Sequence, residues 1–387
     1  MSFLYETAEN YGILVRKGAM KTELLADGKN AFPEIIRCIR NAEESIFINM
    51  FIWRNDTIGC TLARELLAAA DRGVKVTISK DRYGVICETC EESRQSFFNR
   101  RVSLAERLKI AALALFYNRD RSHAPHDTEV DSGALLYALL DHPNIDAVYD
   151  KNRYDHSKFY LFDGETLIFG GINVEDKENG QDYAGRAYHD YMVKLTEAPL
   201  IAEFLERRRS PASGGTFEMN LKERGNWFGM KDAYLKLINE AEKSLSIVMA
   251  YFSPLPEFET AILRAVQRGV DVRVVIPAHA NFQDDLNKKT VRRLMKKSGG
   301  AIRVYAYPGM LHAKLLMSEK ALSLGSCNIT KKAFGQLDEL NLSVMNDASG
   351  FATAVRESVE DTFASSAPLS ENVRYNSIVA ALESLLV

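Results

Sequence analysis

The sequence predicts an α/β fold that is built twice along one chain. Residues 42–53 resemble residues 241–252 position for position, and both are nearly continuous apolar runs. Such runs are typical of strands that are buried on both faces of a sheet. In each half a segment with helical spacing follows, and then a β-branched strand at 72–78 or at 268–274. Strand, helix, strand in this order predicts mixed, largely parallel sheets, and its repetition predicts an internal duplication.

The two halves are expected to be unequal in length. We assign residues 1–206 to the first domain and residues 227–387 to the second. The linker between them is predicted at 207–226, because its first part, 207–216, is polar, contains Pro and Gly and shows no apolar period. When the repeats are aligned, the first half carries an insertion at about 82–150.

Composition and charge exclude several classes of protein. The chain is 46% apolar and 26% charged, which favours a folded globular protein over disorder. Lys and Arg total 49 and Asp and Glu total 52, so the net charge of -3 does not drive the whole protein onto nucleic acid. Five scattered cysteines suit a reducing compartment. No secretory signal and no run of apolar residues long enough to span a bilayer is visible, so we expect a cytoplasmic protein whose membrane contact is peripheral, on the inner face of the cell membrane.

Each half contains a His-x-Lys-x4-acid box, followed by a Gly/Ser turn and an Asn. The residues are His156, Lys158, Asp163, Gly171 and Asn173 in the first half, and His312, Lys314, Glu319, Ser326 and Asn328 in the second. Alternate residues of a strand share a face, and a turn of small residues leaves room for a phosphate. Two copies facing each other would form one site with two imidazoles, two ammonium groups and two amides.

That set of groups suits phosphodiester chemistry without a metal or another cofactor. Lysines and amides hold the anionic phosphate, one imidazole attacks phosphorus, and the other donates a proton to the leaving alcohol. A carboxylate on the far ring nitrogen would set the tautomer of each imidazole. Asp190, which follows the first box, and Glu339, which follows the second, are the candidates.

The paired boxes, each with its Gly/Ser-rich turn and Asn, resemble the phospholipase D superfamily, and the order of segments is most similar to bacterial cardiolipin synthases and related phosphatidyltransferases. The resemblance implies two fused domains related by a pseudo-two-fold axis, with the active site at their interface. It also implies that His156 is the nucleophile and His312 the general acid. Lys158, Lys314, Asn173 and Asn328, with the turn residues Gly171 and Ser326, would bind phosphate. The chain departs from the family where Glu319 replaces Asp and where Gly171 replaces a frequent Ser; we expect Asp163 and Glu319 to support structure through hydrogen bonds.

Lipid and nucleic acid are both possible phosphodiester substrates, and lipid is favoured. Within the insertion, apolar residues recur near the helical period among basic residues, which predicts a helix that lies on an anionic bilayer. Its candidate membrane-binding residues are Phe97, Phe98, Arg100, Arg101, Leu104, Leu108, Leu115 and Phe116. A helix that packs on the core with solvated charges explains the same pattern, and this alternative stays open. Stacking aromatics do not alternate with basic residues in the manner of single-strand binders, so no nucleic-acid partner is favoured.

The sequence therefore predicts a phosphatidyltransferase that acts on glycerophospholipids, with phosphatidylglycerol as donor and cardiolipin as product. A hydrolase that releases phosphatidic acid, a metal-independent nuclease and a non-catalytic lipid-binding module remain alternatives. One chain holds both boxes, so a monomer suffices for one site. Cys87, Cys90, His123 and His126 are an alternative set of zinc ligands, although their spacing is longer than in compact zinc sites.

Overall fold

The structure is a computed structural model that describes residues 22–91, 96–99, 101–117, 130–150, 154–180, 187–222 and 227–386. Its elements form two sheets flanked by helices. The strands of the first sheet are β1 (Thr22–Ala26), β2 (Ser45–Met50), β3 (Lys75–Lys80), β4 (Ile145–Val148), β5 (Lys158–Phe162), β6 (Thr166–Gly170) and β7 (Tyr191–Leu195). The strands of the second sheet are β8 (Phe217–Leu221), β9 (Trp227–Phe228), β10 (Ser244–Met249), β11 (Asp271–Pro277), β12 (Arg303–Tyr307), β13 (Lys314–Ser318), β14 (Ala321–Gly325), β15 (Glu339–Met345) and β16 (Ala367–Pro368).

The helices are likewise divided between the two halves of the chain. Those of the first half are α1 (Gly28–Asn41), α2 (Thr57–Asp71), α3 (Gly84–Glu91), α4 (Leu104–Leu113), α5 (Ala134–Asp141) and α6 (Ala198–Arg209). Those of the second half are α7 (Met230–Glu240), α8 (Pro256–Gln267), α9 (Asp284–Lys297), α10 (Lys331–Gly335), α11 (Gly350–Ala364) and α12 (Ser377–Leu386).

Strand order confirms the predicted duplication. The first sheet runs β1-β7-β6-β5-β2-β3-β4, and the second contains the matching series β8-β15-β14-β13-β10-β11-β12, with β9 and β16 added at its edges. Both sheets are mixed, as predicted, but they contain fewer parallel pairs than expected. Only β2–β3–β4 and β10–β11–β12 pair in parallel, and the other pairs are antiparallel. The reason is that each box strand returns through a hairpin, β5–β6 or β13–β14, and a hairpin makes antiparallel neighbours.

The two sheets pack face to face and are covered by helices on their outer sides. Along β5, Tyr160 joins the core under α1 and α2, whereas its neighbour Phe159 joins a second core that contains residues of both sheets. Leu315 of β13 belongs to that shared core. A third core lies between the second sheet and its own helices. Strands with an apolar neighbour on each face need apolar residues at successive positions, which explains the continuous runs in the sequence.

The repeated Arg-Gly dipeptides act as predicted at the ends of two helices. Gly73 follows α2 with φ of 99°, and Gly269 follows α8 with φ of 87°. Glycine adopts this left-handed conformation without the steric cost that a Cβ brings. Each helix therefore ends one turn before the strand that carries the chain back into the sheet.

The last acids of the two boxes hold equivalent loops. Asp163 accepts hydrogen bonds from the backbone N–H groups of residues 43–45 at 2.8–3.1 Å. Glu319 accepts them from residues 242–244 at 2.9–3.1 Å. Both loops join a helix to the strand at the centre of a sheet, and Glu replaces Asp without losing these contacts.

Helices and strands of the structure extend into two of the predicted connecting segments. The linker was predicted at 207–226, but α6 continues to Arg209 and β8 already belongs to the second sheet through its pairing with β15. The insertion was predicted to end near 150, but β4 within it pairs with β3 and corresponds to β12. Arg207 also donates hydrogen bonds to the carbonyls of Ala212 and Gly214, which orders the start of the connection.

The predicted membrane-binding segment divides into a buried part and an exposed part. Phe97 and Phe98 are buried and pack against Trp53, with ring centroids 6.2 and 5.4 Å away, so their assignment to a membrane surface is wrong. The periodic pattern could not separate an aromatic anchor in the core from a surface residue. Arg101, Leu104, Leu108 and Leu115 are exposed and Phe116 is half-buried. Arg100 lies outside the described residues.

The remaining predictions concern membrane spans and zinc. Within the described ranges, no helix combines the length and the apolar character needed to cross a bilayer. Of the four residues proposed for zinc, His123 and His126 lie outside the described residues. Cys90 is buried with its Sγ 3.4 Å from the carbonyl of Ile110, and Cys87 is half-buried.

Removal of the Glu319 carboxylate tests its structural role. Glu319→Ala is expected to lower the free energy of unfolding at neutral pH by about 1–2 kcal/mol, because three hydrogen bonds to a carboxylate are lost while the half-exposed groups regain water. Burial raises the pKa of Glu319, but the backbone N–H groups of residues 242–244 lower it further, from 4.5 to about 2. A carboxyl whose pKa is depressed on folding stabilises the fold above its ordinary pKa, and this stabilisation is lost as pH falls toward 2.

Urea unfolding of the two proteins at neutral pH and at about pH 3 measures this difference. The difference in the free energy of unfolding between wild type and Glu319→Ala should be smaller at about pH 3 than at neutral pH. Glu357→Ala, which removes an exposed carboxylate on α11, is the control and should change stability little at either pH. A gap that stays constant with pH would contradict the hydrogen-bonded carboxylate.

Candidate active site

The two boxes meet at one pocket between the halves of the chain. His156 and Asn173 from the first half and His312 and Asn328 from the second all line a narrow cavity of ≈ 120 Å³. Both imidazoles are buried, with 8% and 6% of their surface exposed. The structure thus brings together the His and Asn pairs that the sequence predicted would converge. A larger cavity of ≈ 1250 Å³ lies elsewhere and is lined by none of these residues.

Backbone bridges that cross between the halves hold each histidine. The N–H of His156 donates to the carbonyl of Asp338 at 2.9 Å, and the N–H of His312 donates to the carbonyl of His189 at 2.8 Å. Asp338 and His189 each come one residue before a predicted supporting acid. Each half therefore fixes the catalytic strand of the other, and the same contact occurs twice.

The supporting acids cross between the halves in the same way. The Nδ1 atom of His156 lies 3.1 Å from both carboxylate oxygens of Glu339, which belongs to the second half. The Nδ1 atom of His312 lies 2.8 Å from Oδ2 of Asp190, which belongs to the first half. Both acids were predicted, and the structure adds that each one serves the histidine of the other domain.

A third carboxylate, which the sequence analysis missed, also contacts His312. Oε1 of Glu178 lies 2.9 Å from Nδ1 of His312 and also accepts from the backbone N–H of Asn173 at 3.4 Å. Glu178 is fully buried. The alignment of the repeats places Ala333 at the equivalent position of the second half, so the duplication gave no signal for it. The sequence signal for Glu178 was its position five residues after Asn173, in the loop that follows the first box.

The two lysines are buried beneath the histidines. Nζ of Lys158 donates to the carbonyl of His156 at 2.6 Å, and Nζ of Lys314 donates to the carbonyl of His312 and, at 3.3 Å, to Oδ2 of Asp190. Burial, followed by the charge of Lys314, lowers the pKa of Lys158 to about 7. Three nearby carboxylates raise this pKa but do not outweigh burial and the charge of Lys314, and a bound phosphate would raise it further.

The two asparagines are oriented by equivalent backbone groups. Oδ1 of Asn173 accepts from the N–H of Ile52, and Oδ1 of Asn328 accepts from the N–H of Tyr251, both at 3.2 Å. An amide whose oxygen is held in this way directs its NH2 group to the opposite side. In both residues that side is the pocket, where the NH2 group can donate to an anionic oxygen.

The turn residues Gly171 and Ser326 have roles that differ from the predicted one. Ser326 is fully buried and its hydroxyl donates to Oε2 of Glu339 at 2.5 Å, so it is directed at the acid and not into the pocket. A Cβ at Gly171 would lie 2.2 Å from Oδ2 of Asp190. The departure from Ser at Gly171 therefore has a steric cause, because the Asp190 carboxylate occupies the space that a side chain would need.

The electrostatic surroundings push the two imidazoles in opposite directions. Burial, followed by the charges of Lys158 and Lys314, lowers the pKa of His156 well below its usual value. Burial and Lys314 also lower the pKa of His312, but the carboxylates of Glu178 and Asp190 outweigh them and raise it. Burial raises the pKa of Glu339 to about 8. At a pH between the two pKa values, His156 is therefore the neutral imidazole and His312 the protonated one.

One group of described residues has the spacing of a metal site. Glu178, Asp190 and His312 offer ligand atoms that lie within 4.8 Å of one another. However, the ammonium group of Lys314 binds the same Asp190 carboxylate. A cation would have to displace or lie beside that ammonium, so the arrangement fits a paired imidazolium better than a metal ion.

Aromatic side chains form much of the pocket wall. The rings are Phe51, Tyr83, Tyr117, Tyr188, Tyr251 and Phe282. Phe51 packs its ring edge to face with His156, with centroids 4.7 Å apart. Such a wall limits the water that reaches the two imidazoles and strengthens the electrostatic interactions between the groups inside.

Most of the chain matches a family model and known proteins with similar sequences. Residues 35–207 and 234–364 match the family model described as "Cardiolipin synthase, PLD-like domain". Cardiolipin synthase B of Shigella flexneri is 26% identical over 355 residues, which cover 85% of this chain and 75% of that protein. Cardiolipin synthase of Staphylococcus aureus is 25% identical over 373 residues, which cover 90% and 68%.

A solved structure supports the fold. The phosphatidylserine synthase of Haemophilus influenzae superposes with a TM-score of 0.65 at 14% identity, covering 98% of this chain and 96% of that one. The family model covers most of the chain, including both boxes. The chain therefore belongs to the cardiolipin synthase-like phospholipase D family, and it is an enzyme of the phosphatidyltransferase type.

Proposed function

We propose that this enzyme is a cardiolipin synthase, which transfers the phosphatidyl group of one phosphatidylglycerol to the free hydroxyl of another through a phosphohistidine at His156. The observation that carries the proposal is the pair of imidazoles on one pocket whose pKa values are shifted in opposite directions. A nucleophile must be neutral and a general acid must be protonated at the same pH. The contacts of His156 and His312 meet both requirements.

In the first step, Nε2 of His156 attacks phosphorus while Nδ1–H donates to Glu339. The bond between phosphorus and the glycerol oxygen breaks, and Nε2–H of His312 gives its proton to that oxygen, so glycerol leaves. Lys158, Lys314, Asn173 and Asn328 stabilise the charge on the remaining phosphate oxygens. The site then holds a phosphatidyl group on His156 and a neutral His312.

In the second step, His312 acts as the base. It takes the proton from the hydroxyl of the second phosphatidylglycerol, whose oxygen attacks phosphorus, and the bond between phosphorus and Nε2 of His156 breaks. Cardiolipin is released and both imidazoles regain their starting protonation. The aromatic wall supports an alcohol over water as the acceptor, because it disfavours a solvated site.

A phospholipase D that releases phosphatidic acid is the alternative, since water can enter in place of the alcohol. Each route uses the same two histidines and needs no second chain, so one monomer holds a complete site. The membrane is proposed as the partner surface, with the enzyme peripheral on it, because the substrate is a bilayer lipid.

Product analysis tests the proposed reaction. Wild type incubated with phosphatidylglycerol vesicles is expected to yield cardiolipin and glycerol, which mass spectrometry of the lipid extract and assay of the aqueous phase will detect. Phosphatidic acid as the main product would replace the transferase by a hydrolase. Cleavage of single-stranded nucleic acid with no change in the lipid would overturn the lipid substrate altogether.

Substitution of each histidine separates their roles. His156→Ala should abolish the phosphatidyl-enzyme and reduce turnover at least about 10³-fold, because the nucleophile is lost. His312→Ala should slow turnover by about 10²–10⁴-fold with ordinary lipid, and much less with a nitrophenyl phosphodiester, whose leaving group needs no proton. Acid quenching with a radiolabelled donor measures the intermediate, and thermal unfolding checks that both variants fold. An intermediate trapped in His156→Ala would reverse the assignment of nucleophile and general acid.

Addition of a chelator should leave wild-type activity unchanged, because the proposed steps use no metal ion.

Glu178→Gln tests the unpredicted carboxylate. His312 must be protonated in the first step, and Glu178 helps to raise its pKa, so removing that charge lowers the pKa and moves the alkaline limb of the rate profile to lower pH, by about one unit. The rate at acidic pH should be retained. Glu165→Gln, on an exposed turn, is the matched control and should leave the profile unchanged. A uniform loss of rate at all pH values would instead indicate a purely structural role for Glu178.

A further inference from the structure

Two helices from opposite halves of the chain flank the mouth of the active-site pocket. Leu113 at the end of α4 and Tyr117 just beyond it line the pocket from the first half, and Leu386 at the end of α12 lines it from the second. Tyr117 stacks on Phe282 with centroids 5.0 Å apart, which joins the inserted segment to the loop before α9. α4 and α12 therefore border the same opening.

The outward faces of these two helices are apolar. Six of the nine large apolar side chains that are exposed among the described residues lie here, namely Leu104, Leu108, Leu115, Ile378, Leu382 and Leu385. Leu115 is 82% exposed and Leu385 is 80% exposed. On α12 the three residues are spaced i, i+4 and i+7, which places them on one face. Large apolar side chains concentrated at one place on a surface indicate a partner.

The exposed charges beside α4 are positive. Arg101, Arg107 and Lys109 are exposed beside the leucines of α4. The one acid of that helix, Glu106, is buried and bonded to Arg82 at 2.7 Å. The one charged residue of α12, Glu383, is also buried and accepts from the backbone N–H of Leu286 at 2.8 Å. The exposed surface at α4 thus combines apolar and cationic groups, and that of α12 is apolar and uncharged. Neither helix has an exposed carboxylate on the residues that the structure describes, which suits an anionic lipid surface.

The size of the pocket supports the same partner. Pockets that enclose drug-sized ligands have roughly 300–1,000 Å³, and a cavity of ≈ 120 Å³ cannot enclose two acyl chains as well as a phosphate. The acyl chains of a bound phospholipid must therefore extend out of the mouth, between α4 and α12. An apolar rim at this place lets them remain in the bilayer while the phosphodiester reaches the histidines.

We propose that α4 and α12 together form a docking surface that sets the mouth of the pocket on an anionic phospholipid bilayer. This inference rests on the proposed lipid substrate and deepens it by assigning the surface, its two helices and the chemistry of its partner. Part of α4 was a membrane candidate from sequence alone. The contribution of α12, from the other domain, and the position of the pocket between the two helices come from the structure.

Vesicle flotation of the full chain tests the surface. The probes are vesicles of phosphatidylcholine alone and vesicles of phosphatidylcholine with phosphatidylglycerol. Wild type should float with the anionic vesicles and only weakly with the neutral ones. The triple variants Leu104→Ser/Leu108→Ser/Leu115→Ser and Ile378→Ser/Leu382→Ser/Leu385→Ser should each reduce binding by about tenfold or more, because each removes three inserted side chains. Met345→Ser, at an exposed site away from the pocket, is the matched control and should bind like wild type.

Insertion is measured directly with single tryptophans. Leu108→Trp and Leu385→Trp should both show a blue-shifted emission and quenching by brominated acyl chains when anionic vesicles are added, and Met345→Trp should show neither. If only one of the two helices responds, the two-helix surface is wrong. If both triple-serine variants float like wild type, or if wild type does not float at all, the proposal is overturned.

Two further measurements distinguish docking on a bilayer from other roles of the leucines. Activity on a monomeric lipid tests whether the leucines have a structural role, and the oligomeric state tests whether they form a protein interface. Monomeric dihexanoyl phosphatidylglycerol needs no bilayer, so the triple-serine variants should turn it over at the wild-type rate while losing turnover of vesicle substrate. Loss of both activities would contradict a docking role. Wild type that is inactive on every lipid yet inserts both tryptophans would refute the proposed reaction and leave the docking surface intact. If size-exclusion chromatography shows a dimer that the serine variants break while vesicle binding persists, the surface is a protein interface and the proposal fails.

Discussion

The exchange of contacts between the two halves is the constraint on which the site depends. Neither histidine is held by its own domain alone. His156 takes its backbone partner and its carboxylate from residues 338–339, and His312 takes them from residues 189–190. Because the carbonyl and the carboxylate are adjacent in sequence, one strand end fixes both the position and the tautomer of the opposite imidazole. The shared apolar core between the sheets holds these strand ends in register. Packing of the two sheets and formation of the site are therefore the same event.

The buried lysines and carboxylates of the site are stabilised by partners of opposite charge, by backbone carbonyls and by a hydroxyl group. Lys314 binds Asp190, Ser326 binds Glu339, and both lysines donate to the carbonyls of their own histidines. An unpaired charge at these depths would be strongly unfavourable. Lys158 donates to a backbone carbonyl, and burial together with the charge of Lys314 lowers its pKa to about 7. In the proposed reaction the phosphate lies near this ammonium group.

The sequence predicted the duplicated fold, the boxes and both supporting acids because these are local patterns that occur twice. It could not predict which acid serves which histidine, because that depends on how the halves pack. Glu178 escaped notice because its counterpart Ala333 carries no charge. The burial of Phe97 and Phe98 was also missed, since a period of apolar residues is the same whether the face meets core or lipid. The proportion of parallel strand pairs was overestimated, because the strand–helix–strand pattern does not reveal the antiparallel hairpins β5–β6 and β13–β14.

The steric relation between Gly171 and Asp190 has a consequence for how such a site can evolve. A symmetric assembly of two identical half-sites must give both imidazoles the same neighbours, so on average they share one acidity. Fusion into a single polypeptide removes that requirement. Here His312 is surrounded by Asp190 and Glu178, with Gly171 beside the aspartate. His156 instead contacts the longer side chain of Glu339, which is bound by Ser326. The surroundings of each imidazole can then change separately, and the difference between their pKa values becomes a permanent property of the folded chain.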